Sequence, residues 1–115
     1  AAAGYAQVFN PITYSTQTRA WIDLELGRVL RSSQKIEASI APLERAAKYY
    51  ERDTSDRYVT GLARFWLAKS LYETKRERRR ARALATKARP DVHAAKSGLN
   101  LDVHRKQISE WLATH

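Results

Sequence analysis

The feature that most constrains this chain is an internal echo, in which apolar residues return after a fixed interval of 41 positions. Each pair keeps its size class and polarity: Leu26 returns as Leu67, Gly27 as Ala68, Leu30 as Leu71, Ile40 as Ala81, Leu43 as Leu84 and Ala47 as Ala88. A repeat of this length is a supersecondary unit that buries its apolar face by stacking on a copy of itself. Function is therefore expected on the surfaces of the stack.

The composition favours helices throughout the repeat. The 115 residues suit one domain, and 43% of them are hydrophobic while 29% are charged, as in an ordinary globular chain. Only four Gly and three Pro are present, and Ala, Leu, Arg, Lys and Glu are abundant. These residues are the strong helix formers, so the sequence predicts an all-α fold.

Apolar spacing predicts five helices, at about 17–33, 35–52, 56–74, 76–89 and from Asn100 to the end. The third is apolar on nearly every side, which predicts neighbours on most sides. Pro42 is expected to remove one amide hydrogen bond and kink the second helix, and Pro90 is expected to end the fourth. The predicted organisation is a leader or contact segment at 1–14, two antiparallel helical hairpins at 15–90, and a loop with a C-terminal capping helix at 91–115.

The sequence contains no motif typical of catalysis, metal binding or cofactor binding. There is no Cys, and His93, His104 and His115 are spaced too widely for a metal motif, so we interpret them as lone surface residues. The sequence has no Gly-flanked Ser, no phosphate-binding Gly loop and no isolated carboxylate pair. We therefore expect neither an enzyme nor a cofactor or metal. Trp21 and the two other tryptophans, Trp66 and Trp111, lie on apolar helix sides and are expected to pack in the core.

Targeting signals do not stand out either. No apolar run approaches the length needed to span a bilayer, and the first residues lack the pattern of a signal peptide. A cytoplasmic location is therefore expected. The chain also contains no Met, which indicates a fragment of a longer protein, although removal of the initiator from a small intact protein is the alternative.

Several stretches of the chain resemble the tetratricopeptide repeat. They are residues 63–72 (ARFWLAKSLY), 80–85 (RARALA) and 111–113 (WLA). Within that class they are similar to the C-terminal repeat regions that follow serine/threonine kinase domains in myxobacterium-like bacteria. The period of 41 exceeds the usual length of about 34, Gly27 becomes Ala68, and Pro42 interrupts a helix. A HEAT-like or other helical-hairpin array therefore stays open as an alternative.

The resemblance implies a concave protein-binding groove lined by the first helix of each hairpin. The matching positions are Leu24, Arg28 and Arg31 in the first copy, and Phe65, Lys69 and Tyr72 in the second. This mixture of cations and aromatic rings suits a peptide of acidic character. The alternative is that Phe65 and Tyr72 pack against a neighbouring repeat or the last helix.

The positive charge is concentrated in the second half of the chain. The net charge is +9 at pH 7, and residues 59–115 hold 13 basic and five acidic groups. The main cluster is the basic patch formed by Arg76, Arg78, Arg79, Arg80 and Arg82. We interpret it as a solvated or protein-docking outer face, because nothing concentrates base-reading side chains on one side. A nucleic acid or an anionic membrane surface is the alternative partner.

These patterns together predict a non-catalytic scaffold for protein–protein interaction, at the C-terminal end of a larger bacterial regulatory protein. The expected partner is a protein, either an acidic peptide or the rest of the parent chain. We also expect contact through residues 5–21 with another chain or with a second copy. A basic helical nucleic-acid-binding domain is the alternative function.

Overall fold

A computed structural model describes residues 14–115 of the chain. That part contains five α-helices and no strand, so the predicted all-α class is confirmed. The helices are α1 (Thr16–Ser32), α2 (Ile36–Arg52), α3 (Arg57–Glu73), α4 (Arg78–Ala94) and α5 (Leu101–Thr114). The predicted leader lies almost entirely outside the described residues.

Short polar side chains set two of the helix starts. The Ser15 hydroxyl accepts a hydrogen bond from the Thr18 amide at 3.1 Å, and the Asp56 carboxylate accepts one from the Val59 amide at 3.2 Å. Each bond satisfies one of the amides that a helix leaves free in its first turn. The turns between helices use left-handed residues such as Gln34 (φ 61°) and Lys75 (φ 60°).

Each helix packs against the next one along the chain. In addition, α1 contacts α3, and α3 contacts α5. The helix α3 therefore has neighbours on most of its sides, as its apolar sequence predicts. Its buried residues include Phe65, Leu67 and Leu71. The rest of the core is rich in alanine, which lets the helices approach closely.

The fourth helix does not end at Pro90, and that prediction is wrong. The helix α4 continues to Ala94 with Pro90 inside it. Interior proline costs about 3 kcal/mol because it removes an amide donor and crowds the preceding turn. The turn beyond it buries Val92 completely and places Asp91 against Arg57 and Arg64 of α3. Tertiary contacts thus offset a local preference, and Pro42 likewise lies inside the unbroken helix α2.

Buried polar groups connect helices that are distant in sequence. The Arg31 guanidinium donates to the Ser70 hydroxyl at 2.8 Å, and that hydroxyl lies 2.8 Å from the Ser39 hydroxyl. Arg31 also pairs with Glu73 at 3.0 Å. This network joins α1, α2 and α3, and no buried side-chain nitrogen or oxygen of residues 14–115 lacks a partner. A network whose members are all hydrogen-bonded favours one arrangement of these helices.

Candidate interaction surfaces

The helix α1 is apolar on two opposite sides. Ala20, Leu24 and Gly27 face the core and are buried. A second set is exposed to solvent. Three of its members are shifted by two residues from the buried set and so by about 200° around the helix, and Trp21 is shifted by one residue and lies at their edge. We call this second set the outer face of α1, and its members are Trp21, Ile22, Leu26 and Val29.

The prediction that Trp21 packs in the core is wrong, since 54% of the residue is exposed. Trp66 and Trp111 are half-buried, as expected of residues at the edge of a core. The echo could not predict that this side of α1 is exposed, because it pairs Leu26, which is 44% exposed, with Leu67, which is fully buried. The repeated position is buried in the interior of the second hairpin, whereas in the first hairpin it lies on the side that faces solvent. The sequence did indicate the outer face, because the apolar residues from Ile22 to Val29 follow one another at steps of four and three, as on one side of a helix.

Two arginines border the outer face of α1 on either side. Arg19 is exposed at the edge next to Leu26, and Arg28 is exposed at the edge next to Trp21. Arg28 pairs with Glu25 at 2.8 Å, an i,i+3 contact within the same helix. The face is therefore an apolar strip with an arginine at each border, and Glu25 lies within it between Trp21 and Val29.

Two members of the predicted groove are not accessible to a partner. Leu24 and Phe65 are 3% and 1% exposed. The Phe65 and Tyr72 rings meet the Trp111 ring of α5 edge to face, at centroid distances of 6.0 and 5.4 Å. The structure thus shows the alternative arrangement, in which these rings pack against the last helix.

The three remaining cations of the predicted groove do come together. Arg28, Arg31 and Lys69 surround a shallow depression of about 250 Å³ beside Trp66. Arg31 is already paired with Glu73, and the Lys69 ammonium lies 5.4 Å from the centroid of the Phe65 ring. Burial lowers the pKa of Lys69, and the charge of Arg31 lowers it further. Little unpaired charge is left here to recognise an acidic peptide.

The predicted basic patch divides into two groups. Arg76 and Arg80 pair with Glu37 and Glu44 of α2, both at 2.5 Å. The other group is exposed, and none of its members forms an ion pair with a carboxylate of residues 14–115. We call it the basic face of α4, and its members are Arg78, Arg79, Arg82 and the additional residue Arg89.

An aromatic ring supports one end of the basic face. The Arg78 guanidinium lies 4.7 Å from the centroid of the Tyr72 ring. Arg78, Arg79 and Arg82 line an open depression of about 490 Å³ with this tyrosine. Three arginines therefore border one site, and cation–π contact favours one position for the guanidinium of Arg78.

His104 is not the lone surface residue that the sequence suggested. It is half-buried, its Nδ1 lies 2.9 Å from the Tyr58 hydroxyl, and its ring packs edge to face on Trp66. Burial lowers the pKa of His104, and the Lys69 charge adds to this effect. His115 stacks on Trp111, with ring centroids 4.4 Å apart.

Over residues 14–115 no group of three or more His, Asp and Glu side chains could hold a metal ion. None of the five helices is both long and apolar enough to cross a bilayer. Comparisons with protein-family models, with curated proteins and with solved structures gave no match. The function is therefore argued from these surfaces alone.

Proposed function

We propose that this chain is a non-catalytic interaction module that binds an amphipathic helix of another protein on the outer face of α1. The observation that carries the proposal is the pair of opposed apolar sides on this helix. A helix that is apolar on two sides is typically packed on two sides. Only one of the two sides of α1 is packed against the rest of the described chain.

The composition of the outer face suits protein recognition. A contiguous apolar patch bordered by polar residues is typical of an interaction site. Tryptophan is enriched among the residues that dominate binding energy, and Trp21 lies at one edge of the apolar strip. Ile22, Leu26 and Val29 follow the spacing with which one helix packs on another.

The charges at the borders favour an acidic partner over a second copy of the chain. Each copy of the chain carries a net charge of +9, so two copies repel one another. Arg28 is already paired with Glu25, whereas Arg19 forms no ion pair within residues 14–115. A partner helix with Glu or Asp beside its apolar stripe would pair with Arg19.

A tetratricopeptide-like solenoid gives this proposal its architectural basis. In such a stack α1, α3 and α5 form one row, and the outer face of α1 is the surface on which a preceding hairpin would pack. The partner helix takes that place. With this architecture, the chain would be the C-terminal scaffold of a larger cytoplasmic bacterial protein, similar to the repeat regions that follow serine/threonine kinase domains.

The test uses a labelled synthetic amphipathic helix with a leucine stripe bordered by glutamates. We expect it to bind the chain in fluorescence anisotropy, and a version bordered by lysines to bind much more weakly. Trp21→Ala should weaken binding about thirtyfold, since truncating a tryptophan that dominates an interface costs about 2 kcal/mol. Leu99→Ala is the matched control, because Leu99 is an exposed apolar residue away from α1.

Two results would contradict the proposal. Equal binding of the acidic and basic peptides would remove the argument from the arginine borders. Dimerisation of the chain in analytical ultracentrifugation, abolished by Trp21→Ala, would assign the outer face to a second copy instead.

A further inference from the structure

We propose a second binding site, on a different helix: the basic face of α4 holds the phosphate backbone of a duplex nucleic acid without reading its sequence. The site consists of Arg78, Arg79, Arg82 and Arg89. It is independent of the outer face of α1 and of the partner proposed for that face.

The first argument is the separation of paired and unpaired cations on one helix. Arg80 of α4 pairs with Glu44 at 2.5 Å and so helps to fix α4 against α2. The four arginines of the basic face form no such pair within residues 14–115, and the only acidic residue of α4, Asp91, is buried and faces α3. The unneutralised charge is therefore collected on the solvent side.

The second argument is the shape of the array. Arg78, Arg82 and Arg89 follow one another at steps of four and seven, so they lie along one side of the helix. They span about 16 Å along the helix axis, at 1.5 Å per residue. Arg79 lies at the edge of this line. A rigid line of cations matches a polymer with regularly spaced negative charges.

The third argument is the grouping of three arginines at one end of the line. Arg78, Arg79 and Arg82 border the open depression beside Tyr72, and the ring of Tyr72 contacts the guanidinium of Arg78. Tyr72 itself is packed on Trp111, so Arg78 rests on a fixed support. The planar guanidinium group binds phosphate oxygens in a bidentate manner. The depression is thus suited to one phosphate group, and the rest of the face to those beside it.

The basic face has no anchor for a protein or a membrane. Protein interfaces depend on buried apolar or aromatic anchors, and helices that bind membranes insert apolar side chains. The exposed large apolar residues of the described chain lie on or near α1 and at 99 and 103, and none lies on α4. Charge is the main source of attraction that this face offers, and backbone contact in nucleic acids is dominated by charge.

The experiment measures binding of the whole chain to a labelled DNA duplex of arbitrary sequence over a series of salt concentrations. Four phosphate contacts predict a log–log slope of about −3 to −4, because each contact contributes about 0.9. The variant Arg78→Gln, Arg82→Gln, Arg89→Gln should reduce the slope by about 2 to 3 and weaken binding at least about tenfold at low salt. A second duplex of different sequence should bind equally well.

The control variant is Lys35→Gln, Lys48→Gln, Arg52→Gln, which removes the same formal charge from exposed positions outside α4. It should keep most of the slope. The double variant Arg82→Gln, Arg89→Gln leaves the Arg78–Tyr72 contact intact, so a reduction of the slope by about 2 in that variant cannot be attributed to lost packing.

Equal losses in the face variant and in the control variant would overturn the proposal, because binding would then follow net charge alone. A salt slope near zero would overturn it as well. So would binding of phosphatidylserine vesicles, or of a polyglutamate peptide, with no binding of the duplex.

Discussion

Gly27 and Leu43 determine how closely α1 and α2 approach each other. A Cβ atom placed on Gly27 would lie 2.4 Å from both the Cγ and the Cδ2 of Leu43. Leu43 is fully buried and has little room to move. Only a hydrogen at this position admits the leucine, although the echo places Ala68 at the equivalent position of the second hairpin.

We expect Gly27→Ala to lower the free energy of unfolding by about 1–3 kcal/mol, as overpacking of a core does. The intrinsic helix preference of alanine would raise it by about 1 kcal/mol, and the steric effect should dominate. Urea unfolding followed by circular dichroism measures the difference. In a Leu43→Ala background the same substitution should cost nothing or stabilise the chain. An equal cost in both backgrounds would refute the steric explanation.

At the scale of the element, α5 is held to the other helices by contacts of three kinds. Ile108 is fully buried, and Trp111 packs on the rings of α3. Arg105 donates to the carbonyls of Val92, His93 and Ala95, at 3.1, 3.2 and 2.9 Å. These bonds satisfy carbonyl groups at the C-terminal end of α4 that the helix itself leaves free. The third contact is the half-buried His104 against Tyr58 and Trp66.

His104 should make the stability of the α5 contact depend on pH. Burial holds the pKa of His104 in the folded chain below the ordinary histidine value of 6.5, so the folded state favours the neutral ring. The unfolded state therefore binds the proton more readily, and stability falls as the pH decreases through 6.5 towards the folded pKa. Thermal unfolding measured at pH values between about 7.5 and 5 should show a falling Tm in this range. His104→Gln should reduce the fall, whereas His93→Gln, at an exposed position, should leave it unchanged.

At the scale of the whole molecule, the helices stack in chain order, so each contacts mainly its neighbours. In such an array stability is approximately a sum over units and the contacts between them. Removal of α5 should therefore leave α1 to α4 folded. The ring of Trp111 covers Phe65 and Tyr72, and loss of α5 would expose both.

A chain that ends at Ser97 should retain α1 to α4. We expect its helical circular dichroism signal to fall by about the share of the 14 residues of α5, and its binding of a hydrophobic dye to rise. The Tm should also be lower, since the truncated chain loses the burial of Phe65. Complete loss of helicity would show instead that the five helices fold as one cooperative unit.

The helix count and most of the boundaries could be predicted from the sequence, because the steps of three and four between apolar residues are a local property. The end of α4 could not be predicted from the sequence, because it depends on the ion pairs of Asp91 with two arginines of α3. The site residues were predictable in part. The basic run was evident, but its division into paired and unpaired arginines depends on carboxylates of α2.

The sequence by itself determined that residues 14–115 form helices, because steps of three and four between apolar residues give each helix an apolar side that can be buried. Only the tertiary structure decided which copy of a repeated residue is buried and which is exposed. Leu67 has neighbours on all sides and Leu26 does not, although the two are the same residue at equivalent positions. The physical reason is that burial depends on what lies beside a helix in space, and within residues 14–115 the helix α1 has packing partners on one side only.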